Sequence, residues 1–459
     1  MRPLSPVWKR IARGFGANVY GVVVVVIIQL AGVPILLHFW GVQLYGEWLI
    51  LFAIPAYLSM TDLGFSQSAG NDMTARVARG DNDGALVVFQ SLCALILVIA
   101  LLSFILITAL VFLLPLGKWI QFSVLNITDI RWILWLLATS TLVKLFDGVN
   151  HAGFRTCGDY PLHRGIHLTG LLIQNIGIWL AAFSGGGPRV AALAFLIVPM
   201  IQVPLTALLL TKRHSWMRIG LGHMGIHQLR VLVRPALANL SMPLASALNV
   251  QGMVLVVGAI LGPLAVVVFS SLRTLTRLVV RIVISVSDAT EPELASAWGS
   301  SDHLLLRRLY VYSLQFTIWI IAIAALLLVL LGKWLLLLWT HGKVKMDTAL
   351  FHWLLASAVA SVAWYGGITL LKAANRHLRA TLWYVSASLI TILLAAVLLH
   401  FTGSLANAGL ALLAMDSIMA SYVLVVASKM ADISLASIFY GVFDPRPMLM
   451  FLWNKARTR

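Results

Sequence analysis

Three arginines interrupt an otherwise apolar stretch from Pro263 to Ser287, which is long enough to cross a bilayer. Arg273, Arg277 and Arg281 are spaced four residues apart, so an α-helix places all three on one face. If this helix enters the bilayer at its first residue, Arg273 lies about 15 Å deep, where one arginine costs about 2.5–3.5 kcal/mol on insertion scales. The three side chains must therefore face a polar cavity rather than lipid, and an anion is the natural ligand of such a cavity.

The rest of the chain is also apolar. Of its 459 residues, 60% are hydrophobic and 11% are charged, which is typical of a polytopic membrane protein. Windows of about 20 apolar residues predict about twelve transmembrane helices, and hence an all-α fold. Lys and Arg outnumber Asp and Glu by 33 to 16. In a membrane protein this excess marks cytoplasmic loops rather than a nucleic-acid surface, so no nucleic-acid partner is expected.

The positions of lysine and arginine predict the orientation. If the N-terminus is cytoplasmic, most of these residues fall on the cytoplasmic side. The predicted outer loops hold only Lys118, Arg189, Lys333, Lys343 and Lys345. Both termini are therefore expected in the cytoplasm. The first apolar run, Ala17 to Phe39, is too long for a cleaved signal peptide and is interpreted as a retained span.

A basic stretch near the middle of the chain predicts two halves of six helices each. The predicted domains are an N-terminal six-helix lobe (1–211), a basic cytoplasmic inter-lobe linker (212–234), a C-terminal six-helix lobe (235–430) and a cytoplasmic amphipathic tail (431–459). An even number of helices in each half makes the lobes parallel repeats, and substrate sites in such proteins are expected between the lobes.

Several residues recur at equivalent places in the two halves. Gly41 matches Gly262, Asp81 matches Asp302, and the tetrapeptide LGKW occurs at 116–119 and at 331–334. Each match is weak alone, but their shared order supports an internal repeat.

The second span, Gly46 to Asp72, carries Glu47 and Asp62. On one continuous helix these residues are about 60° apart, so both could face one cavity. One interpretation is a proton-sensitive or cation-coupled switch that makes Glu47 and Asp62 coupling or gating residues. The other is a structural role, either as a buried pair with an arginine or as a helix-end cap.

Other polar residues in the spans favour structural roles. Lys144 and Asp147 are close enough in sequence to compensate one another's charge, and Asp416 in the last span is expected to pair rather than to bind a ligand. For the arginine face the alternatives are pairing with acids on neighbouring helices or contact with an anion. Anion contact is favoured, because acids in the spans are few and the planar guanidinium donates two hydrogen bonds to a phosphate.

No enzyme site, cofactor site or metal site is predicted. The GxGxxG match from Gly220 to Gly225 follows a membrane span and precedes no βαβ unit, which argues against a dinucleotide site. Cys157, His163 and His167 are interpreted as parts of a basic cytoplasmic loop rather than as metal ligands.

The residues from about 15 to 85 resemble the opening of Wzx-type polysaccharide flippases, members of the multidrug/oligosaccharidyl-lipid/polysaccharide exporter superfamily. The matching segments are Val33-Pro34, Phe39 to Val42, Leu44 to Trp48 and Tyr57 to Phe65, followed by Asn71 and Gly80-Asp81. Beyond residue 85 the resemblance is supported by the helix number, the two-lobe plan and the basic eighth helix.

The resemblance implies a MATE-like flippase of the bacterial inner membrane. Such a protein moves undecaprenyl-pyrophosphate-linked oligosaccharide (an O-antigen, capsule or exopolysaccharide repeat unit) to the outer leaflet by alternating access. Arg273, Arg277 and Arg281 are the expected substrate-binding residues. The expected partners are the lipid-linked oligosaccharide, membrane lipids, a polysaccharide polymerase and a chain-length regulator. The alternative is a cation-coupled small-molecule exporter of the same superfamily.

Overall fold

The structure is a computed structural model that describes residues 6–116, 122–434 and 437. These residues form helices and short turns, and the described ranges contain no β-strand. The chain divides into two compact units, Met1–Ala247 (unit 1) and Leu248–Arg459 (unit 2). Unit 1 thus extends past Arg234, the predicted end of the inter-lobe linker.

Unit 1 is built from seven described α-helices and one short 3-10 helix. They are α1 (Pro6–Ala56), the 3-10 helix (Tyr57–Met60), α2 (Phe65–Ala78), α3 (Asn82–Leu113), α4 (Ile127–Thr156), α5 (Tyr160–Phe183), α6 (Pro188–Arg213) and α7 (Ile226–Ala247). Its core lies between α2, α3 and α4, where Met73, Phe89 and Phe154 are fully buried.

Unit 2 begins with a π-helical turn and continues with six described α-helices. They are the π-turn (Leu248–Gly252), α8 (Met253–Leu261), α9 (Pro263–Gly299), α10 (His303–Trp339), α11 (Thr348–Ala373), α12 (Leu378–Thr402) and α13 (Ala406–Met430). Helix α11 is the most buried of these and packs against α9, α10 and α13. Its Gly366 and Gly367 lie against Leu314 and Val423, which brings the neighbouring helices close.

Ten helical stretches in the described residues are long and apolar enough to cross a membrane. One of them, Tyr20–Ala78, runs through Gly41, whose φ of 73° and ψ of 177° are not helical, and therefore contains two segments. Counting it as two and adding α9, which carries the arginine face, gives the twelve segments expected from the sequence. The chain is a multi-pass, all-α membrane protein, as predicted.

Polar caps fix where several helices begin. In α3, α4, α10 and α11 the side chain before the helix accepts a hydrogen bond from a backbone N–H in the first turn, which satisfies one otherwise unpaired donor. The four capping residues are Asp81, Asn126, Asp302 and Asp347.

The residues matched between the two halves share their local geometry. Gly262 has a φ of 83° and a ψ of 179°, close to the values of Gly41, and both interrupt a helical stretch. This left-handed φ favours glycine. Asp81 and Asp302 each cap the helix that follows them. These equivalent breaks and caps are what an internal repeat predicts.

Two sequence predictions lie outside the described residues. In the first LGKW match, Lys118 and Trp119 belong to the undescribed segment 117–121. Most of the predicted amphipathic tail, 431–459, also lies there, since only 431–434 and Ser437 are described.

Candidate functional site

The first arginine of the α9 face is buried and held by backbone. Arg273 has 7% of its surface exposed, and its Nη1 donates to the carbonyl oxygens of Asn249 (3.0 Å) and Val250 (3.5 Å). Its Nη2 donates to the Asn249 side-chain oxygen, and the guanidinium lies 5.5 Å from the centre of the Phe269 ring. Arg273 therefore uses three of its five N–H donors on local acceptors in this structure.

The acceptors come from the π-turn Leu248–Gly252. A π-turn widens the helix and changes the normal pairing of its carbonyls, which makes them available to other donors. Asn249 is itself fixed, because its side-chain amide donates to the sulfur of Met415 in α13 (2.9 Å).

The next two arginines have fewer hydrogen-bond partners than Arg273. Arg277, one turn along α9, is partly buried and donates to the hydroxyl of Tyr365 in α11. Arg281 is also partly exposed, and its side chain has no hydrogen-bond or ion-pair partner among the residues the structure describes. The face thus runs from an arginine with three hydrogen bonds to one with no described side-chain partner.

Asp416 of α13 brings a carboxylate to the same place. It has 6% of its surface exposed and accepts hydrogen bonds from the Ser357 hydroxyl (2.5 Å) and the Trp364 indole N–H (3.0 Å). In the described part of the chain it makes no direct ion pair with an arginine. Two neutral donors therefore take the place of the expected charged partner, and they hold Asp416 in the wall that also contains Arg273 and Arg277.

These groups line one small cavity inside unit 2. Its walls come from the π-turn and from α9, α11, α12 and α13, and its polar lining residues include Asn249, Arg273, Thr276, Arg277, Ser357, Ser361, Tyr365, Tyr384 and Asp416. We call it the arginine cavity. Two guanidinium groups face one carboxylate, so the cavity retains a positive charge that suits an anion.

Substitution of Asp416 by asparagine is expected to destabilise the protein by about 1–3 kcal/mol. An amide has one acceptor oxygen, so either Ser357 or Trp364 loses its acceptor inside the protein. The arginines also lose the acid that, among the described residues, lines their cavity. The thermal unfolding midpoint in detergent measures the effect. Asp432→Asn, at an exposed position with a φ of 52° that asparagine tolerates, is the matched control. Equal midpoints for the two variants would contradict the prediction.

Glu47, predicted as a coupling residue, is fully buried and bonded to backbone. Its carboxylate accepts from the backbone N–H groups of Ser123 (2.9 Å), Val124 (3.0 Å) and Leu125 (2.9 Å). The Ser123 hydroxyl (3.2 Å) and the Gln43 amide (3.4 Å) add two weaker bonds. This arrangement fastens the segment before α4 to α1, and a coupling or gating role for Glu47 stays a prediction.

Asp62 does not lie on the same helix as Glu47. The expected continuous helix from Gly46 to Asp72 is wrong, because α1 ends at Ala56 and a 3-10 helix and a turn precede α2. Leu63 and Gly64 have φ values of 51° and 77°, which a helix cannot contain. The Asp62 carboxylate accepts from the backbone N–H of Ser66 (3.0 Å). This contact is that of a helix-end cap, and a coupling or gating role for Asp62 stays a prediction.

A second polar cluster lies in unit 1. The Asp147 carboxylate accepts from, or shares a proton with, His163 Nε2 (3.1 Å) and His167 Nδ1 (2.7 Å). Lys144 donates to the Gln174 side chain instead (2.9 Å) and lies over the Phe195 ring. Both histidines belong to α5, so their interpretation as loop residues is wrong. The partners are on two helices, and nothing in their sequence spacing indicates the contact.

No protein-family model matches the sequence, and no curated protein sequence matches it. Solved structures do. An inward-facing multidrug resistance MATE family transporter of the MOP superfamily aligns with a TM-score of 0.74 and 16% identity, over 88% of this chain and 94% of that chain. An outward-facing structure of such a transporter has a TM-score of 0.65 and 17% identity, over 92% and 96%.

A further structure of a MATE protein, in the bent conformation, aligns with a TM-score of 0.64 and 15% identity, over 95% of this chain and 97% of that chain. The chain therefore has the MATE fold over nearly its whole length. This confirms the predicted fold class, an all-α, MATE-like polytopic membrane protein.

Proposed function

We propose that this protein is a transporter of the MOP superfamily that moves undecaprenyl-pyrophosphate-linked oligosaccharide to the outer leaflet of the bacterial inner membrane. The MATE fold supports a transporter that works by alternating access. The resemblance of residues 15–85 to polysaccharide flippases supports the lipid-linked cargo. In this proposal both termini are cytoplasmic, and a polysaccharide polymerase and a chain-length regulator act next to the protein.

The observation that carries the proposal is the charge of the α9 face. Arg273, Arg277 and Arg281 share that face, and within the described ranges Asp416 is the one acid that lines the arginine cavity. A small cationic cargo would be repelled by this excess, whereas a pyrophosphate gains from it. The planar guanidinium donates two parallel hydrogen bonds to phosphate oxygens.

Each arginine has a different part in this proposal. Arg281 has no described partner and is available to meet a pyrophosphate first. Arg277 exchanges its bond to the neutral Tyr365 hydroxyl for a charged phosphate oxygen, which is a stronger acceptor. Arg273 supplies charge from its fixed position behind them. The polyprenyl tail remains in lipid while the glycan crosses through a hydrated path.

The experiment is a flipping assay in proteoliposomes with fluorescent undecaprenyl-pyrophosphate-linked oligosaccharide. Replacement of Arg277 or Arg281 by alanine is expected to slow flipping about 10- to 100-fold, because each charged hydrogen bond contributes about 1.5–3 kcal/mol. Arg277→Lys keeps the charge but loses the planar guanidinium that donates two parallel hydrogen bonds. Its flipping rate is expected to lie between those of the wild type and Arg277→Ala. Arg308→Ala, at an exposed arginine of α10, is the matched control.

The possible outcomes test the proposed function and the assignment of the arginines separately. Failure of the wild-type protein to flip the lipid would refute the function. Wild-type rates in both alanine variants, with flipping intact, would refute the assignment of the arginines and leave the function standing.

The second candidate is a cation-coupled small-molecule exporter. It is favoured by one observation, that two of the matching structures are of a multidrug resistance transporter. It predicts extrusion of cationic dyes from proteoliposomes under an ion gradient, with no flipping of the lipid-linked sugar.

A further inference from the structure

Unit 2 contains a second, larger cavity, separate from the arginine cavity. It has a volume of about 560 Å³, and its lining residues include Arg376, Arg379, Tyr422, Val426 and Lys429. We call it the basic cavity. It lies where α11 ends, α12 begins and α13 ends.

The charge of the basic cavity is entirely positive. Arg376, Arg379 and Lys429 line it, and no acidic residue does so in the described part of the chain. The three side chains are exposed, and none of them forms an ion pair with another described residue. Arg376 makes a cation–π contact with the Trp298 ring, whose centre lies 5.4 Å from the guanidinium carbon. Three converging cations without a counter-charge are suited to bind a phosphate.

The three cations lie near the ends of candidate membrane spans, which places them at the depth of lipid headgroups. Candidate membrane spans end at Ala373 and Met430, and another begins at Leu378. Arg376 and Arg379 therefore lie within a few residues of span ends, as does Lys429. Charged groups at such positions lie at the boundary between water and hydrocarbon.

The wall of the basic cavity becomes apolar and aromatic away from the cations. Val426 and Tyr422 precede Lys429 on α13 by about one and two turns, so they lie about 4.5 and 10 Å further into the span. The Tyr422 ring contacts the ring of Trp383, with 5.6 Å between their centres, and Trp383 is 54% exposed. A group of cations next to an apolar wall suits a phospholipid, which joins a charged headgroup to apolar chains. A soluble anion would have no use for the apolar wall.

We propose that the basic cavity is a binding site for an anionic phospholipid. The lipid phosphate contacts Arg376, Arg379 and Lys429, and an acyl chain lies along Val426, Tyr422 and Trp383. The site holds the lipid as a resident ligand and is independent of the cargo proposed for the arginine cavity.

The test is a titration of the purified full-length protein, in detergent, with dioleoyl phosphatidylglycerol and with dioleoyl phosphatidylcholine, followed by native mass spectrometry. The anionic lipid is expected to bind more tightly than the zwitterionic one. The double variant Arg376→Gln/Arg379→Gln is expected to bind phosphatidylglycerol about 10- to 30-fold more weakly, since two interfacial cations are lost. Its affinity for phosphatidylcholine should not change.

The matched control is Arg307→Gln/Arg308→Gln, which removes two exposed cations near the start of α10, outside the basic cavity. If the double variant in the cavity does not fold, Lys429→Gln serves as the variant. Equal affinity of the wild type for the two lipids would overturn the proposal, and so would an equal loss in the control, which would indicate diffuse surface charge. Displacement of phosphatidylglycerol by millimolar inorganic phosphate would identify a phosphate site instead of a lipid site.

Discussion

Replacement of Gly64 by alanine is expected to lower the thermal unfolding midpoint of the protein more than replacement of Gly80 by alanine. Gly64 has a φ of 77°, and a Cβ there would lie 2.4 Å from the Ala236 carbonyl oxygen and 3.1 Å from the Leu240 backbone nitrogen. Both are backbone atoms of α7, which cannot move without displacing the helix. The left-handed conformation costs alanine about 1–2 kcal/mol and the clash about 1–3 kcal/mol more.

Gly80→Ala is the matched control for this prediction. Gly80 has a φ of 83°, and its Cβ would meet nothing within 4 Å. It therefore carries the conformational cost without the clash. If the two variants lose the same stability in detergent, the close approach of the 61–64 turn to α7 is refuted.

Replacement of Glu47 by alanine is expected to destabilise the protein by about 3–5 kcal/mol. Three backbone N–H groups, those of Ser123 to Leu125, lose their acceptor at once, and at least one of them is buried. The thermal midpoint should fall, and hydrogen exchange at these three amides should accelerate.

Glu293→Ala, which removes an exposed carboxylate from α9, is the control and should leave both readings unchanged. Unaltered exchange at residues 123–125 in the Glu47 variant would show that the carboxylate does not hold this segment. A structural anchor of this kind also predicts that Glu47→Gln is damaging, since the amide has one acceptor oxygen instead of two.

The sequence predicted the elements of this fold well, because helix signals are local. Apolar windows, asparagine and aspartate caps and the positive-φ glycines are all readable within a few residues. The arginine face was also predictable, since a spacing of four is a property of any α-helix. The same local signals were present at residues 61–64, where Asp62 and Gly64 mark a turn, but the apolar run around them favoured a continuous helix.

The contacts between helices could not be predicted in this way. Asp416 was visible as an isolated acid, but its place beside the arginines depends on how α13 and α9 each pack against α11. Tyr365 and Tyr384 had no sequence signal at all, because an aromatic residue in a membrane helix faces lipid, core or cavity with equal ease. Glu47 illustrates the same limit, since its three backbone partners are more than seventy residues away and have no side-chain signature.

If an anion binds Arg273 itself, the π-turn at Leu248–Gly252 couples ligand binding to backbone geometry. Arg273 donates to two carbonyl oxygens of this turn. An anion that draws the guanidinium away removes that donor from the turn, and a turn that tightens removes those acceptors from the arginine. By reciprocity, the two events change each other's equilibrium constants by the same factor. One coupling free energy therefore describes both the effect of the π-turn conformation on anion affinity at Arg273 and the effect of the anion on the π-turn.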